Sequence, residues 1–330
     1  MTGGRPAAGA DPAELGRRLR EGDRGAAPAA LNAIEDRSPG GRERARGLLA
    51  EVAPAALGRE APAHLIGITG PPGAGKSSLL SALVSRWREL GRTVAVLAVD
   101  PSSKRSGGSL LGDRARIDHD PRDDGVLIRS TAAGTRLGGL APPTREAVQV
   151  LAPAFDVVVV ETVGVGQSET DVEEVCDTVA VVVQPASGDT LQFLKAGIME
   201  VPDVLVVTKA DLGDVALRAR RDLSSALRAL GSRDTPVVSV SSLPPPSGID
   251  DLVQALDAHR AQIDLTAERL RARRLAALAE LVAEHGESGL RALGGRREAE
   301  RFLEAQDPEL GTAALVETLV ERVERGAGEP

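Results

Sequence analysis

An α/β fold with a mainly parallel central sheet flanked by helices, and with helical extensions at both ends, is predicted by three observations. First, seven short runs rich in Val, Leu and Ile recur between His64 and about Arg260. Near-continuous apolar runs of this kind mark strands buried on both faces, which is the pattern of a parallel sheet covered by helices. Second, helical periodicity fills the intervals between them. Third, the glycine-rich stretch Gly70 to Ser77 (GPPGAGKS) stands between the strand-like His64 to Thr69 (HLIGIT) and a run with Leu79, Leu83, Trp87 and Leu90 at helical spacing. Gly91 suits the end of that helix.

Taken in order, residues 12 to 56 carry helical patterns broken at Gly22-Asp23 and at Ser38-Pro39-Gly40-Gly41, predicting two or three short helices. Their buried positions are Leu15, Leu19, Leu31, Ile34, Leu48 and Leu49. After the first strand come Thr93 to Val99, Val126 to Arg129 and Asp156 to Glu161. Thr178 to Gln184, Asp203 to Thr208 and Val237 to Ser241 complete the set. Residues 263 to 330 return to helical patterning. One stripe is Leu270, Leu275, Leu278, Leu281 and Val282, another is Leu315, Leu319, Val320 and Val323, and Gly286 to Gly295 separates them. Periodicity leaves open whether these stripes pack on the main domain or on a second subunit. The expected division is a helical N-terminal extension over 1–60, a nucleotide domain over 61–262, and a helical C-terminal extension over 263–330 that is a candidate dimerisation arm.

Composition narrows the function. Lys plus Arg number 40 against 48 Asp plus Glu, a net charge of −8, which argues against a nucleic-acid or anionic-membrane surface. Aromatic residues are Trp87, Phe155, Phe193 and Phe302 with no Tyr, so base stacking on an aromatic platform is not expected. The single cysteine, Cys176, excludes an intramolecular disulfide and a multi-cysteine metal site. Residues 1 to 10 lack an apolar signal core and no apolar run reaches membrane-spanning length, so a cytoplasmic location is expected. The histidines 64, 119, 259 and 285 share no metal-ligand spacing and are expected to be structural or solvated. Arg271, Arg273 and Arg274 read most simply as a solvated helix face.

The glycine-rich stretch fits the phosphate-binding loop pattern, with a strand before it and a helix after it. Its glycines let backbone N–H groups approach a triphosphate, and the helix N-terminus favours the negative charge. Gly70, Gly73, Ala74, Gly75, Lys76, Ser77 and Ser78 are the candidate phosphate contacts. Lys76 would reach the β- and γ-phosphates, and the Ser77 hydroxyl would ligate Mg²⁺. The second strand ends at Asp100, and a Gly/Ser-rich segment leads from it to Asp113. A carboxylate there can hold Mg²⁺ directly or through water, although an ordinary surface loop has the same composition. The fourth strand ends at Glu161, followed by Thr162-Val163-Gly164. Glu161 would emerge where metal and γ-phosphate lie, and the Gly164 amide would register the γ-phosphate. Thr208-Lys209-Ala210-Asp211 closes the sixth strand and resembles the Asn-Lys-x-Asp guanine-specificity motif. Asp211 can accept from both guanine N1–H and N2–H₂, which adenine cannot offer, and the Lys209 stem can cover the ring. Thr208 departs from the motif's Asn. Ser241, Ser242 and Leu243 lie where a second guanine-contacting loop is expected, so GTP is favoured over ATP.

Together, GPPGAGKSS, LAVDPSSKRSGGSLLGDRARI, GTRLGGLA, ETVGVGQSE, GDTLQFLKAGIME and TKAD resemble the methylmalonyl-CoA mutase-associated GTPase family (MeaB/ArgK type), within the SIMIBI class of P-loop proteins. The resemblance covers roughly residues 60 to 262. It implies a GTPase chaperone, binding GTP or GDP with Mg²⁺, that gates cobalamin delivery and protects or reactivates an adenosylcobalamin-dependent acyl-CoA mutase. It also implies that Lys76 and Ser77 bind phosphate and Mg²⁺, and that Asp100, Asp113 and Glu161 form the acidic metal and switch set. Asp113 or a neighbouring group would help position the attacking water. Asp189 to Lys195 matches a further switch segment, in which Ala196 replaces a common second lysine. A homodimer built partly by the C-terminal helices is implied too. The rival readings are a metal-insertion GTPase, which usually carries His-rich or Cys-His ligands absent here, an ATP-using kinase tied to amino-acid transport, and a non-hydrolysing nucleotide-dependent binding module.

Overall fold

The computed structural model describes residues 11–100, 117–132, 140–162, 172–185, 202–229, 231–232 and 234–327. Asp113, Gly164, the whole Asp189 to Lys195 segment and Ala196 lie outside them, and for Asp100 only the backbone is described. The chain divides into two compact units, one comprising residues 63–148 and 155–265 and the other comprising residues up to 62, 149–154 and 266 onward.

The first unit is built on seven strands: β1 (His64–Thr69), β2 (Val94–Asp100), β3 (Val126–Ala132), β4 (Val157–Thr162), β5 (Thr178–Val183), β6 (Val204–Val207) and β7 (Val237–Ser239). Their order is β3-β2-β4-β1-β5-β6-β7, and every pairing is parallel. Val157, Val158, Val159 and Val160 are each at most 1% exposed, which is why their run shows no alternation. From β1 the chain moves first to the β2–β3 side, inserts β4 beside β1, and then continues on the other side through β5. The carboxyl end of β1 is therefore the topological switch point, where open α/β sheets bind ligands.

The helix Lys76–Glu89 follows β1. Leu79, Leu80 and Leu83 are fully buried and Trp87 is 1% exposed in a core shared with Ile66, Ile68, Val159 and Val182. Each such side chain contributes about 1.5–3 kcal/mol of burial, so this helix is firmly seated on the sheet. It ends where the sequence indicates. Gly91 has φ +77°, and the Arg92 N–H reaches back to the Trp87 carbonyl at 2.9 Å. The helix Ile249–Gln262 covers the same core with Ile249, Leu252, Val253 and Leu256.

The second unit is helical. Pro12–Arg20, Ala27–Glu35, Pro39–Glu51 and the short Pro54–Leu57 come from the N-terminal side, and Leu265–Ala292, Arg296–Glu304 and Thr312–Ala327 from the C-terminal side. The expected break at Ser38 to Gly41 is a helix start. The Ser38 side chain accepts from the Gly41 N–H at 3.1 Å, and Pro39 occupies the first turn, where its missing N–H is harmless. The C-terminal apolar stripes pack within the chain. Leu281, Leu315 and Leu319 are fully buried in one cluster with Leu278, Leu290 and Leu303. Leu275, expected in the first stripe, is 38% exposed.

Arg273 does not belong to a solvated face. Its guanidinium meets both oxygens of Glu60 at 2.8 and 3.0 Å and donates to the Pro308 carbonyl at 2.9 Å, with the pair's side chains 10% and 11% exposed. A buried guanidinium needs such partners, and sequence spacing could not show that Glu60, from the opposite end of the chain, supplies them.

At the amino ends of the strands, His64 Nε2 lies 2.8 Å from Thr178 Oγ1, which lies 3.0 Å from His259 Nδ1, and His259 Nε2 meets Asp203 at 3.2 Å. The single hydroxyl proton of Thr178 can go to only one of the two imidazoles, so the other donates to the hydroxyl oxygen. Burial pushes the pKa of His64 down to about 4, against smaller opposing contributions from Asp177 and Asp257. In the unfolded chain it titrates near 6.5, so between these values the unfolded state binds a proton the folded state lacks. Stability should therefore fall by up to about 3 kcal/mol as pH drops from about 6.5 to about 4. Denaturant titrations across that window should show the His64→Gln slope reduced by this amount. An unchanged slope would remove His64 as its source.

Candidate functional site

Labelling the helices in chain order makes Lys76–Glu89 α5, Pro142–Leu151 α6, Asp214–Ala229 α7 and Ile249–Gln262 α8. The phosphate loop leaves β1 through Gly70, whose φ is +144°. A Cβ there would stand 2.1 Å from the Val182 carbonyl oxygen of β5, so only glycine lets the loop cross the β1–β5 boundary. Gly75, in the left-handed region, precedes α5, and no side chain caps that helix. Its first-turn N–H groups therefore point out as a ready anion cradle. Lys76 is buried in the first turn, with Nζ donating to the Gly70 carbonyl at 2.7 Å and the Pro71 carbonyl at 3.2 Å. Ser77 is half-buried and Ser78 exposed in the same turn.

Glu161 is buried at the carboxyl end of β4, in register with Ile68 of β1 and Ala98 of β2. It thus sits beside the strand that launches the phosphate loop. The next residue, Thr162, and Thr69 of β1 have buried hydroxyls with no hydrogen-bond partner among the described residues. Ser77, Glu161 and these hydroxyls are all hard oxygen donors, a set that suits Mg²⁺ and not a soft metal. No group of three His, Cys, Asp or Glu side chains able to hold a metal occurs among the described residues, and Asp113 lies outside them.

Two further loops meet beside the phosphate loop. Thr208 is buried, and its hydroxyl lies 2.6 Å from the Ala74 carbonyl and 3.2 Å from the Val183 carbonyl. The single proton goes to the nearer acceptor, joining the specificity loop to the phosphate loop. Lys209 has φ +55°, a conformation an ordinary residue adopts only at some cost, and its ammonium bonds the Gln184 side chain. Asp211 is exposed and accepts from the Ser241 hydroxyl at 2.8 Å, while Ser241 Oγ also accepts from the Leu243 N–H at 3.3 Å. Backbone bonds of 3.0 and 2.9 Å between Ser241 and Ser247 close this second loop. Ser242 is half-buried and Leu243 is 61% exposed. The sequence-predicted residues Thr208, Lys209, Asp211 and Ser241 to Leu243 are therefore neighbours. Gln184 was read only as the end of a strand. Its site role depends on β5 and β6 being adjacent, which no local pattern reveals.

The model of the methylmalonyl-CoA mutase-associated GTPase family matches residues 27–292 of the chain. The chain belongs to this family. A relative from Pyrococcus abyssi named as a GTPase is 41% identical over 254 residues, aligned over 75% of each chain. The mitochondrial methylmalonic aciduria type A homologue of Caenorhabditis elegans is 40% identical over 225 residues, 66% of this chain and 56% of that one. Among solved structures, one titled a LAO/AO transport system kinase superposes with a TM-score of 0.65 at 28% identity, covering 97% of this chain and all of the other. This member of the mutase-associated GTPases is accordingly a GTP hydrolase on a P-loop α/β fold. No helix among its described residues is long and apolar enough to cross a membrane.

Thr208→Val keeps the shape of the side chain and deletes the link to Ala74. It should lower stability by about 1–2 kcal/mol, because the buried carbonyl loses its donor, and weaken GDP binding several-fold. Denaturation curves and calorimetry check both. Wild-type values for both would show that the contact supports neither.

Proposed function

We propose that this GTPase acts as a chaperone for an adenosylcobalamin-dependent acyl-CoA mutase, gating cofactor loading and protecting or reactivating the enzyme. The observation that carries the reading is the family match across residues 27–292. The relatives named for methylmalonic aciduria agree with it. In this reading Gly70, Gly73, Ala74, Gly75 and Ser78 line the phosphates, and Lys76 moves from the loop carbonyls to the β- and γ-phosphates. Ser77 and Glu161, with Asp100 and Asp113, hold Mg²⁺, which when bound neutralises phosphate charge. Asp113 orients the attacking water and Gly164 registers the γ-phosphate. Asp211 reads the guanine donors, Lys209 covers the ring, and Ser241 to Leu243 close on the base. Hydrolysis then needs positioning and charge neutralisation and little covalent chemistry from the protein.

We also infer a homodimer from the family. Because Leu315 and Leu319 are buried within the chain itself, its interface draws on other surfaces of the C-terminal helices. The kinase title of the structural neighbour supports a second reading, phosphorylation at the expense of ATP. The Asp211–Ser241 contact favours guanine and so the first.

Hydrolysis of GTP and of ATP, each with and without a cobalamin-dependent acyl-CoA mutase, separates them. GTP should be preferred by at least about tenfold, since adenine offers the carboxylate of Asp211 neither of guanine's two donors. The mutase should raise turnover, and Lys76→Ala should abolish it. GTP turnover indifferent to every mutase overturns the partner and leaves the GTPase.

A further inference from the structure

Lysine is rare in this chain. Of its 40 basic residues only Lys76, Lys104, Lys195 and Lys209 are lysines, and the rest are arginine. An arginine pairs with a carboxylate or faces water equally well. Lys209 therefore marks a place where the slender four-carbon stem and compact ammonium are themselves required. The backbone there is unusual too. Lys209 is the one non-glycine residue with positive φ among the described residues, at φ 55° and ψ 42°. Bonds on either side over-determine that conformation: the Thr208 N–H donates to the Val183 carbonyl at 2.9 Å, and the Ala210 N–H to the Val240 carbonyl at 3.0 Å. Strained residues held in this way collect at ligand sites, where the surrounding structure bears the cost of aiming one side chain.

The far end of the side chain is fixed as well. Val183 stands opposite Val207 in the β5–β6 register, so Gln184 and Thr208 are the next residues along the two strands. From the end of β5 the half-buried Gln184 side chain meets the Lys209 ammonium. An ammonium only donates, so its acceptor is the amide oxygen of Gln184. That acceptor is neutral, and the bond aims the ammonium without cancelling its charge. A lysine held only by its backbone is spread over the rotamers of four torsions and loses that freedom when a ligand orders it. With both ends held, much of the loss precedes binding.

We propose that Gln184 is a positioning residue for the base. By holding the Lys209 ammonium it keeps the stem ordered for the face of the ring, while Asp211 reads the edge. The inference rests on the guanine-nucleotide reading above, in which Lys209 covers the ring, and adds to it the residue that sets that cover.

The test is calorimetric titration of the full chain with GDP, inosine diphosphate and pyrophosphate. It is repeated with Gln184→Met, Gln184→Glu, Lys209→Met and the pair Gln184→Met with Lys209→Met. Gln184→Met keeps the length of the side chain and removes the acceptor. It should weaken GDP and inosine diphosphate by the same factor, about fivefold, and leave pyrophosphate within about twofold. Gln184→Glu restores an acceptor and should bring GDP back to within about twofold of the unaltered chain. On the Lys209→Met background, where no ammonium is left to hold, the Gln184 change should add nothing. In GTP hydrolysis Gln184→Met should raise KM and leave kcat nearly unchanged, the mark of lost uniform binding. Unchanged GDP affinity in Gln184→Met, factors that differ between the two purines, a loss that extends to pyrophosphate, or additive effects in the pair each overturns the positioning role and leaves the nucleotide reading standing. If Gln184→Met does not fold, Gln184→Glu decides, and a fivefold loss of GDP there overturns the role. Failure of the unaltered chain to bind GDP overturns both.

Discussion

The missing Cβ at Gly70 is the constraint on which the rest of the site depends. The loop can cross to β5 only because nothing stands between it and the Val182 carbonyl. That crossing places Ala74 within reach of Thr208, the residue after β6, and the Gly75 turn then starts α5 with no side-chain cap. Thr208 in turn fixes the start of the loop that carries Lys209 and Asp211, and Ser241 fastens Asp211 from β7. Phosphate, base and second base loop are thus linked in series through side chain to backbone contacts. Each link is a hydrogen bond worth about 1 kcal/mol, so their value lies in geometry more than in stability.

Much of this was legible in the sequence. The seven strands and the helix after the loop appear because a doubly buried parallel strand leaves an unbroken apolar run, and a seated helix leaves a 3.6-residue one. The loop was legible because its glycines have no other use in that spacing. What escaped were pairings between distant segments. Arg273 reads as one of a run of surface arginines, and only the fold brings Glu60 to it. Leu275 fits the helical stripe yet stays exposed, because the stripe that is buried runs through Ala277, Leu278 and Leu281. Gln184 gains its part from strand order alone.

The two ends of the sheet divide the work. At the carboxyl ends, buried polar side chains such as Lys76, Glu161 and Thr208 stand beside the half-buried Ser77 and Ser242 and the exposed Asp211. At the amino ends, His64, Thr178, His259 and Asp203 form a chain of polar contacts that ties β1 and β5 to α8 and to the residue before β6, with the second ring nitrogen of His64 buried and without a hydrogen-bond partner among the described residues. A buried polar chain of this kind is costly when any member is altered, so it specifies which strands are neighbours.

Thr208 in place of asparagine has a consequence for how guanine is read. An amide carries two donor hydrogens and an acceptor, whereas the threonine hydroxyl carries one proton, and here it is spent on Ala74 at 2.6 Å. Val183 is served by the Thr208 backbone N–H at 2.9 Å, so the substitution leaves neither loop carbonyl without a donor. What it removes is any further donor toward the ligand. In the guanine reading proposed above, recognition of the base would fall on Asp211, whose exposed carboxylate is held by Ser241, itself buried and fastened by the closed 241–247 loop. The structural half of the motif is retained by a smaller side chain, and its recognition half is concentrated in one carboxylate and one hydroxyl.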